Sequence, residues 1–424
     1  MLMRVFFSLV VLVLMTLIAI IHNKILKERF IDPAFIFTVY WMTMISIGVL
    51  TIDFEYSYLG LVYLIFLCFI ALLISNVVNG VIKSVIPNKA ISIFLVNRSR
   101  IILLSVIILG NLGTIINVHI NGNSISSLFS LSSLFEINNE MAVNRYSGIQ
   151  KTNAFMQILM IFEYLAPIIG GYHFACVKSK VDNLIVFLSF TPVLFSLFVQ
   201  NTKIGIISGI FLFISSFIVA SIYNGKKVHI RLSTIMKWIS TGVVIFCMLI
   251  FSMILRVGNL THTTLFNALN KFIIYAFGHI PAFDYWFSNQ GYYSYGFGKN
   301  TFVGIFNVLG LATREQGVYT DYIYIGRFYS NIYTAFRGLI MDFGVLGSIL
   351  AFILLIAIGT ISFSMLLKKK GLYINSFLLF NVYFFVFYSF VVSSWTYISY
   401  IAAFLFFIIY LMMVRPKFEK IKKK

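Results

Sequence analysis

Residues 58–77 read YLGLVYLIFLCFIALLISNV, without one charged side chain. At about 1.5 Å of rise per residue, a helix of that length crosses the ~30 Å hydrocarbon core of a bilayer. A barrel strand would run about 10 residues and alternate. Here the apolar residues run on without a period of two, so the stretch reads as a transmembrane helix. Working outward, similar runs lie at 5–21, 34–52, 101–119, 154–176, 183–199, 204–222, 238–255, 343–367, 374–392 and 396–414. The expected fold class is all-α, a polytopic integral membrane protein of about eleven transmembrane helices forming a single membrane domain over residues 1–424. Composition agrees: 60% of the residues are hydrophobic and 11% charged, against about 25% charged in a soluble domain. Residues 5–21 read as the first span and not as a removable leader, because Ile21-His22-Asn23-Lys24 lacks a small-residue cleavage pattern. Cys68, Cys176 and Cys247 fall in or beside spans, as small buried hydrophobes do, and suggest neither a disulfide framework nor a zinc site.

The net charge of +19 is a matter of location more than of sum. Basic residues cluster in alternate loops: Lys24, Lys27 and Arg29; Lys83, Lys89, Arg98 and Arg100; Lys178 and Lys180; Lys226, Lys227, Arg231 and Lys237; Lys368 to Lys370; and the tail from Arg415. These hold 22 of the 32 basic residues, and the positive-inside rule places them in the cytoplasm with the C-terminus. This pattern accounts for the charge without nucleic acid. The opposite loops include Asp53-Phe54-Glu55, residues 120–153 and a large extracytoplasmic loop, 256–342. No internal repeat is visible, which argues against an inverted-repeat transporter.

The chemistry is expected in 256–342, since a loop of this length in a compact protein is usually functional. It is dense in tyrosine, with Trp286, and carries Arg256, Arg314, Arg327 and Arg337. An aromatic belt at the membrane interface accounts for tyrosines at the loop ends, less well for their density throughout. Aromatic faces stack on sugar C–H surfaces, and the planar guanidinium fork bonds phosphate oxygens in pairs. Lipid headgroups are the bland alternative for any single arginine. The candidate acids and bases are His262, His279, Asp284, Glu315, Asp321 and Asp342. Asp342, before Phe343-Gly344, also fits a carboxylate at a helix N-terminus, and His279 and Asp284 flank Pro281 in what could be a plain turn. Glu163 lies mid-span, where an ionisable group is a functional candidate by default, although a protonated or arginine-paired glutamate would merely join helices. No metal-ligand spacing and no phosphate-binding G-x-x-x-x-G-K-[ST] loop occurs, so neither metal nor nucleotide cofactor is expected.

Asn331-Ile332-Tyr333-Thr334, followed by Asp342-Phe343-Gly344-Val345-Leu346-Gly347, resembles the N-x-Y-T…D-F-G-x-x-G stretch of the oligosaccharide repeat-unit polymerases, the O-antigen polymerases of bacterial surface polysaccharide assembly. Residues 275–284 and Gly298-Lys299-Asn300-Thr301-Phe302 are similar to further stretches of that family. The resemblance implies a glycosyltransferase of the bacterial inner membrane. It would polymerise repeat units linked to undecaprenyl pyrophosphate into O-antigen or capsule at the outer face of the membrane. The implied partners are the lipid-linked oligosaccharide, membrane lipid and, as a protein partner to look for, a chain-length regulator. On this reading Asp342, His279 and Asp284 are the candidate catalytic residues. Arg256, Arg314, Arg327, Arg337, Asn331, Tyr333 and Glu163 would bind substrate. Related ligases carry a histidine before the equivalent asparagine; this chain has Ser330-Asn331, which disfavours a ligase. A flippase for lipid-linked sugars is the other alternative, but it would be expected to carry charges along many spans. An acyltransferase would want a histidine or nucleophile deep in the membrane, and His173 is the one weak candidate.

Overall fold

The computed structural model describes residues 1–26, 31–82, 93–225, 242–243, 246–253, 261–290, 295–312 and 319–415. The helices are α1 (Leu2–Leu26), α2 (Pro33–Thr51), α3 (Leu59–Ile82), α4 (Val96–Ile120), α5 (Leu131–Tyr146), α6 (Ala154–Cys176), α7 (Lys180–Leu188), α8 (Thr191–Gln200) and α9 (Lys203–Tyr223). They continue with α10 (His262–Phe277), α11 (His279–Ser288), α12 (Val303–Val308), α13 (Thr334–Leu367), α14 (Leu372–Tyr388) and α15 (Ile398–Val414). One antiparallel hairpin, β1 (Ile323–Ile325) with β2 (Phe328–Ser330), interrupts them.

The chain is a multi-pass membrane protein. Among the described residues, eight helical segments are long and apolar enough to cross a bilayer. They correspond to the runs expected from 5–21 through 204–222, apart from 238–255, together with 343–367. The expected span at 238–255 lies partly outside the described residues. The runs at 374–392 and 396–414 form the shorter apolar helices α14 and α15, of 17 residues each. The run at 183–199 is broken, with α7 ending before Ser189 and α8 starting at Thr191 with Pro192 in its first turn, where a missing N–H costs nothing.

The chain divides into two compact units, each built from separated stretches of sequence. The first comprises residues 1–87, 270–370 and 378–398. Here α2 starts at an Asp-Pro cap: the Asp32 carboxylate accepts the Ala34 N–H at 2.9 Å. Asp32 also accepts from Ser75, Asn79 donates to Ser75, and Ser364 donates to Asn79, so polar side chains link α2, α3 and α13 inside the bundle. Aromatic rings fill the space above: Phe37 lies 4.7 Å from Phe352 and Trp41 5.4 Å from Phe336, centroid to centroid. Helix α13 bends at Gly344, whose φ of 72° and ψ of 176° suit glycine alone, and a Cβ there would meet the Tyr295 ring at 3.0 Å.

The second unit comprises residues 88–269, 371–377 and 399–424. Small residues let its helices approach closely, as they do in lipid. Gly110 and Gly113 of α4 face the backbone of α6, and Gly171 of α6 faces Phe213 of α9. Polar groups join α4, α6 and α7: Arg100 pairs with Asp182 through two bonds of 2.6 and 2.8 Å, and His173 joins Asp182 to the Ser99 hydroxyl.

Candidate functional site

The described residues of 270–342 belong to the first unit, and part of them form a core of their own. Ile274, Ala282, Tyr319, Ile323, Ile325 and Tyr333 are buried together, with Ile52 from the end of α2. The hairpin fits the strand period of two. Ile323 and Ile325 point into this core, whereas Tyr322, Tyr324 and Tyr329 stand exposed on the other face with ring centroids 5.4–5.5 Å apart. Gly326, at φ 58°, makes the turn, and Arg327 beside it is exposed.

Arg337 enters this core from the first turn of α13. Its guanidinium carbon lies 4.1 Å from the Tyr319 ring centroid, 4.2 Å from that of Tyr333 and 5.2 Å from that of Trp286. Three rings thus cage one cation. Both terminal nitrogens reach out of the cage to the Asp321 carboxylate, at 2.8 Å each, in a bidentate pair. The arginine side chain is 7% exposed and its aspartate partner 52%. Burial pushes the Tyr333 hydroxyl up to about 12, with the Asp321 charge acting in the same sense, so the cage tyrosines stay neutral. Replacing a buried ion pair by apolar residues is often neutral or stabilising. A caged arginine with one open side is therefore poorly explained by stability.

The pair has a pH signature. Burial pushes the Asp321 carboxyl up, but hydrogen bonds and charge from Arg337 outweigh it and hold the group below the usual carboxylate range. A depressed folded value means that the pair's stabilisation is complete above the unfolded value and is lost as pH falls through the folded one. Acidification below about pH 4, the ordinary aspartate range, should therefore raise hydrogen–deuterium exchange in residues 319–330 when each rate is taken relative to the intrinsic rate at the same pH. Exchange that stays unchanged down to about pH 3 would show that the hairpin does not depend on the pair.

Asp342 and Asp284 serve as anchors for backbone. Asp342 is fully buried and accepts from the Asn300 N–H and side-chain amide, at 3.0 and 2.9 Å, and from the Thr301 N–H at 2.7 Å. Gly296 and Phe297 donate to the carbonyls of Met341 and Asp342. Two stretches far apart in sequence, 296–301 and 341–344, are locked together by these bonds. Asp342 stands two residues before the kink at Gly344, where the helical backbone restarts, so it does lie near a helix start as the sequence suggested, but its carboxylate accepts from Asn300 and Thr301. Asp284, also fully buried, accepts from Ser57, Tyr58 and Gly60 at 2.7–3.0 Å. It holds the entry of α3, where a carboxylate suits the positive end of the helix. His279 is buried edge-on between Trp41 and Phe390, and burial pushes its imidazole down to about 3. Three residues proposed as catalytic from sequence thus lie in the first unit, but both carboxylates are saturated and the imidazole is enclosed by apolar rings.

The substrate-binding candidates separate as well. Arg337 and Tyr333 share the cage, Asn331 donates to the Tyr319 carbonyl at 3.5 Å, and Arg327 stands on the hairpin turn. Arg256 and Arg314 lie outside the described residues. Glu163 belongs to the second unit, where it is 1% exposed with Ser196 and Arg145 as its polar neighbours. Sequence reading missed the hairpin and the pairing of Asp321 with Arg337. The alternation Ile323-Tyr324-Ile325, followed by Gly326, was the available signal for the first. Among the described residues no group of three or more His, Cys, Asp or Glu could hold a metal ion. No family model, curated protein or solved structure matches the chain.

Proposed function

We propose that the chain is a glycosyltransferase that polymerises oligosaccharide repeat units carried on a lipid pyrophosphate. The observation that carries this reading is the caged Arg337, whose fork is aimed outward at an exposed carboxylate. A pyrophosphate would take the place of Asp321 on the same two nitrogens, in the geometry arginine uses for phosphate. The interlocking of 296–301 with 341–344 supports the reading too, since both stretches are among those that resemble the polymerases. In this proposal an acceptor-sugar hydroxyl oxygen bonds to the anomeric carbon of the donor. The anomeric C–O bond to phosphate breaks, and its electron pair leaves on the pyrophosphate, whose charge Arg337 offsets. Asp321, released from Arg337, accepts the hydroxyl proton. The topology proposed with it has eleven spans in a bacterial inner membrane, a cytoplasmic C-terminus and residues 256–342 outside.

The test is a deletion strain. Single repeat units in place of long surface polysaccharide, with long chains restored by the gene, are the expected result. Normal chain lengths in the deletion strain would refute the reading.

A further inference from the structure

A second feature of the first unit lies around the linker between α2 and α3. That linker, Asp53-Phe54-Glu55-Tyr56-Ser57-Tyr58, alternates acidic and aromatic side chains before Ser57. With Met1, Met3, Arg4 and Tyr285 it lines an open cleft of about 750 Å³, a volume within the range of small-molecule sites. The rings form one continuous wall. Tyr285 and Phe54 are 6.4 Å apart, Phe54 and Tyr56 5.6 Å, and Tyr56 and Tyr58 5.8 Å.

The wall is held stiffly. Asp284 fixes the Ser57 and Tyr58 N–H groups, and Arg4 ties the other end through the Ile52 carbonyl at 2.9 Å and Asp53 at 2.7 Å. Tyr58 has a φ of 66°, a left-handed conformation that a bulky side chain adopts only when its surroundings impose it. Ring faces that are preorganised and half open, with charges at the rim, are what an aromatic-lined ligand site requires.

The rim charges select the ligand. Asp53 and Glu55 are exposed and are matched by Arg4 and the Met1 amino group, so the rim has no net positive charge to hold a phosphate. A neutral or amino sugar offers C–H faces to the rings, hydroxyl donors to the carboxylates and acceptors to the guanidinium. Phe54 also packs against the core that holds Tyr319 and Tyr333, and Tyr285 adjoins Trp286 in α11, so the cleft borders the arginine cage.

We propose that this cleft is a saccharide subsite, binding uncharged or amino sugar units of an oligosaccharide beside the Arg337 cage. The identity of the natural oligosaccharide rests on the polymerase reading; the binding itself does not. The test uses the full chain in lipid nanodiscs and saturation-transfer NMR. The probes are maltotriose, chitotriose, methyl rhamnoside and methyl galactoside, with tetramethylammonium as a competing chemistry. Transfer to at least one sugar, reduced about tenfold by Tyr285→Ala and by Tyr56→Ala, is the expected result. Tyr285 is 50% exposed, so its removal should leave thermal unfolding unchanged. Arg337→Ala should keep the sugar signal. The proposal is overturned by no transfer to any sugar, by transfer insensitive to both variants, or by transfer to tetramethylammonium alone. Failure of the polymerase reading is separate, since it would appear as normal polysaccharide in the deletion strain whatever the NMR result.

Discussion

Arg337→Ala is expected to reduce polymer formation at least about 100-fold, the loss seen when one preorganised donor to developing negative charge is removed. The cage sets the expectation. Tyr319, Tyr333 and Trp286 surround the guanidinium, and its two terminal nitrogens are bonded to the half-exposed Asp321 carboxylate. Arg337→Lys should restore little, because an ammonium keeps the charge but loses the paired geometry and the flat stacking surface. A purely structural arginine would give a different pattern. In that case Asp321→Asn, which removes the charge opposite and keeps the shape, should behave like Arg337→Ala in every assay. On the present reading the two diverge in binding of inorganic pyrophosphate to the purified protein. Arg337→Ala loses it, whereas Asp321→Asn keeps or tightens it, because the internal competitor for the fork is weakened. Asp321→Asn should still be inactive in polymerisation, for want of the proton acceptor. Full-length polymer from Arg337→Ala, or equal pyrophosphate affinity in the two variants, would end the proposed role.

Much of the membrane scaffold was legible in the sequence because lipid imposes one strong rule, a long apolar run paired with itself as a helix. The start of α13 escaped that rule for a physical reason. Arg337 and Asp342 interrupt the hydropathy of 334–342, so the apolar run begins at Phe343, beside the kink at Gly344, and the helical stretch before the kink, which hides both charges inside the protein, leaves no apolar signal. The division into two units was not legible at all. Residues 270–370 join residues 1–87 across a long stretch of intervening chain, and hydropathy carries no information about such pairings. The site was legible by residue type only. Arginine, tyrosine and tryptophan in one segment suggested a sugar and phosphate site, but the choice of Arg337 depends on rings brought together by the hairpin. Similarly, nothing local in Gly278-His279-Ile280-Pro281-Ala282-Phe283-Asp284 shows that Asp284 will meet the N–H groups of Ser57, Tyr58 and Gly60, more than 220 positions away.

Asp342→Ala is the second large effect expected, and it should be a loss of fold before it is a loss of chemistry. The carboxylate accepts three hydrogen bonds, two of them from backbone N–H groups that have no substitute acceptor in the substituted protein. Hydrogen bonds to a charged group contribute about 1.5–3 kcal/mol each, so their joint removal should cost roughly 3 kcal/mol or more. Non-additivity within one cluster keeps the figure toward the lower end. Thermal unfolding in detergent should fall by several degrees, and protease should cut sooner within 295–302, the stretch released from α13. Asp342→Asn is the informative companion. Its amide keeps an acceptor oxygen for one side of the loop but turns an N–H₂ toward the donors on the other, so it should recover only part of the stability. A catalytic Asp342 predicts the opposite separation: Asp342→Asn with wild-type unfolding temperature and no polymer. The geometry favours the first outcome, because Gly296 lies against the same carboxylate so tightly that a Cβ there would overlap Oδ1. No room is left on that side for a substrate hydroxyl, and the carboxylate oxygens are taken by the Asn300 and Thr301 N–H groups and the Asn300 side-chain amide. Gly296→Ala should accordingly reproduce the instability of Asp342→Ala while leaving the carboxylate itself in the protein.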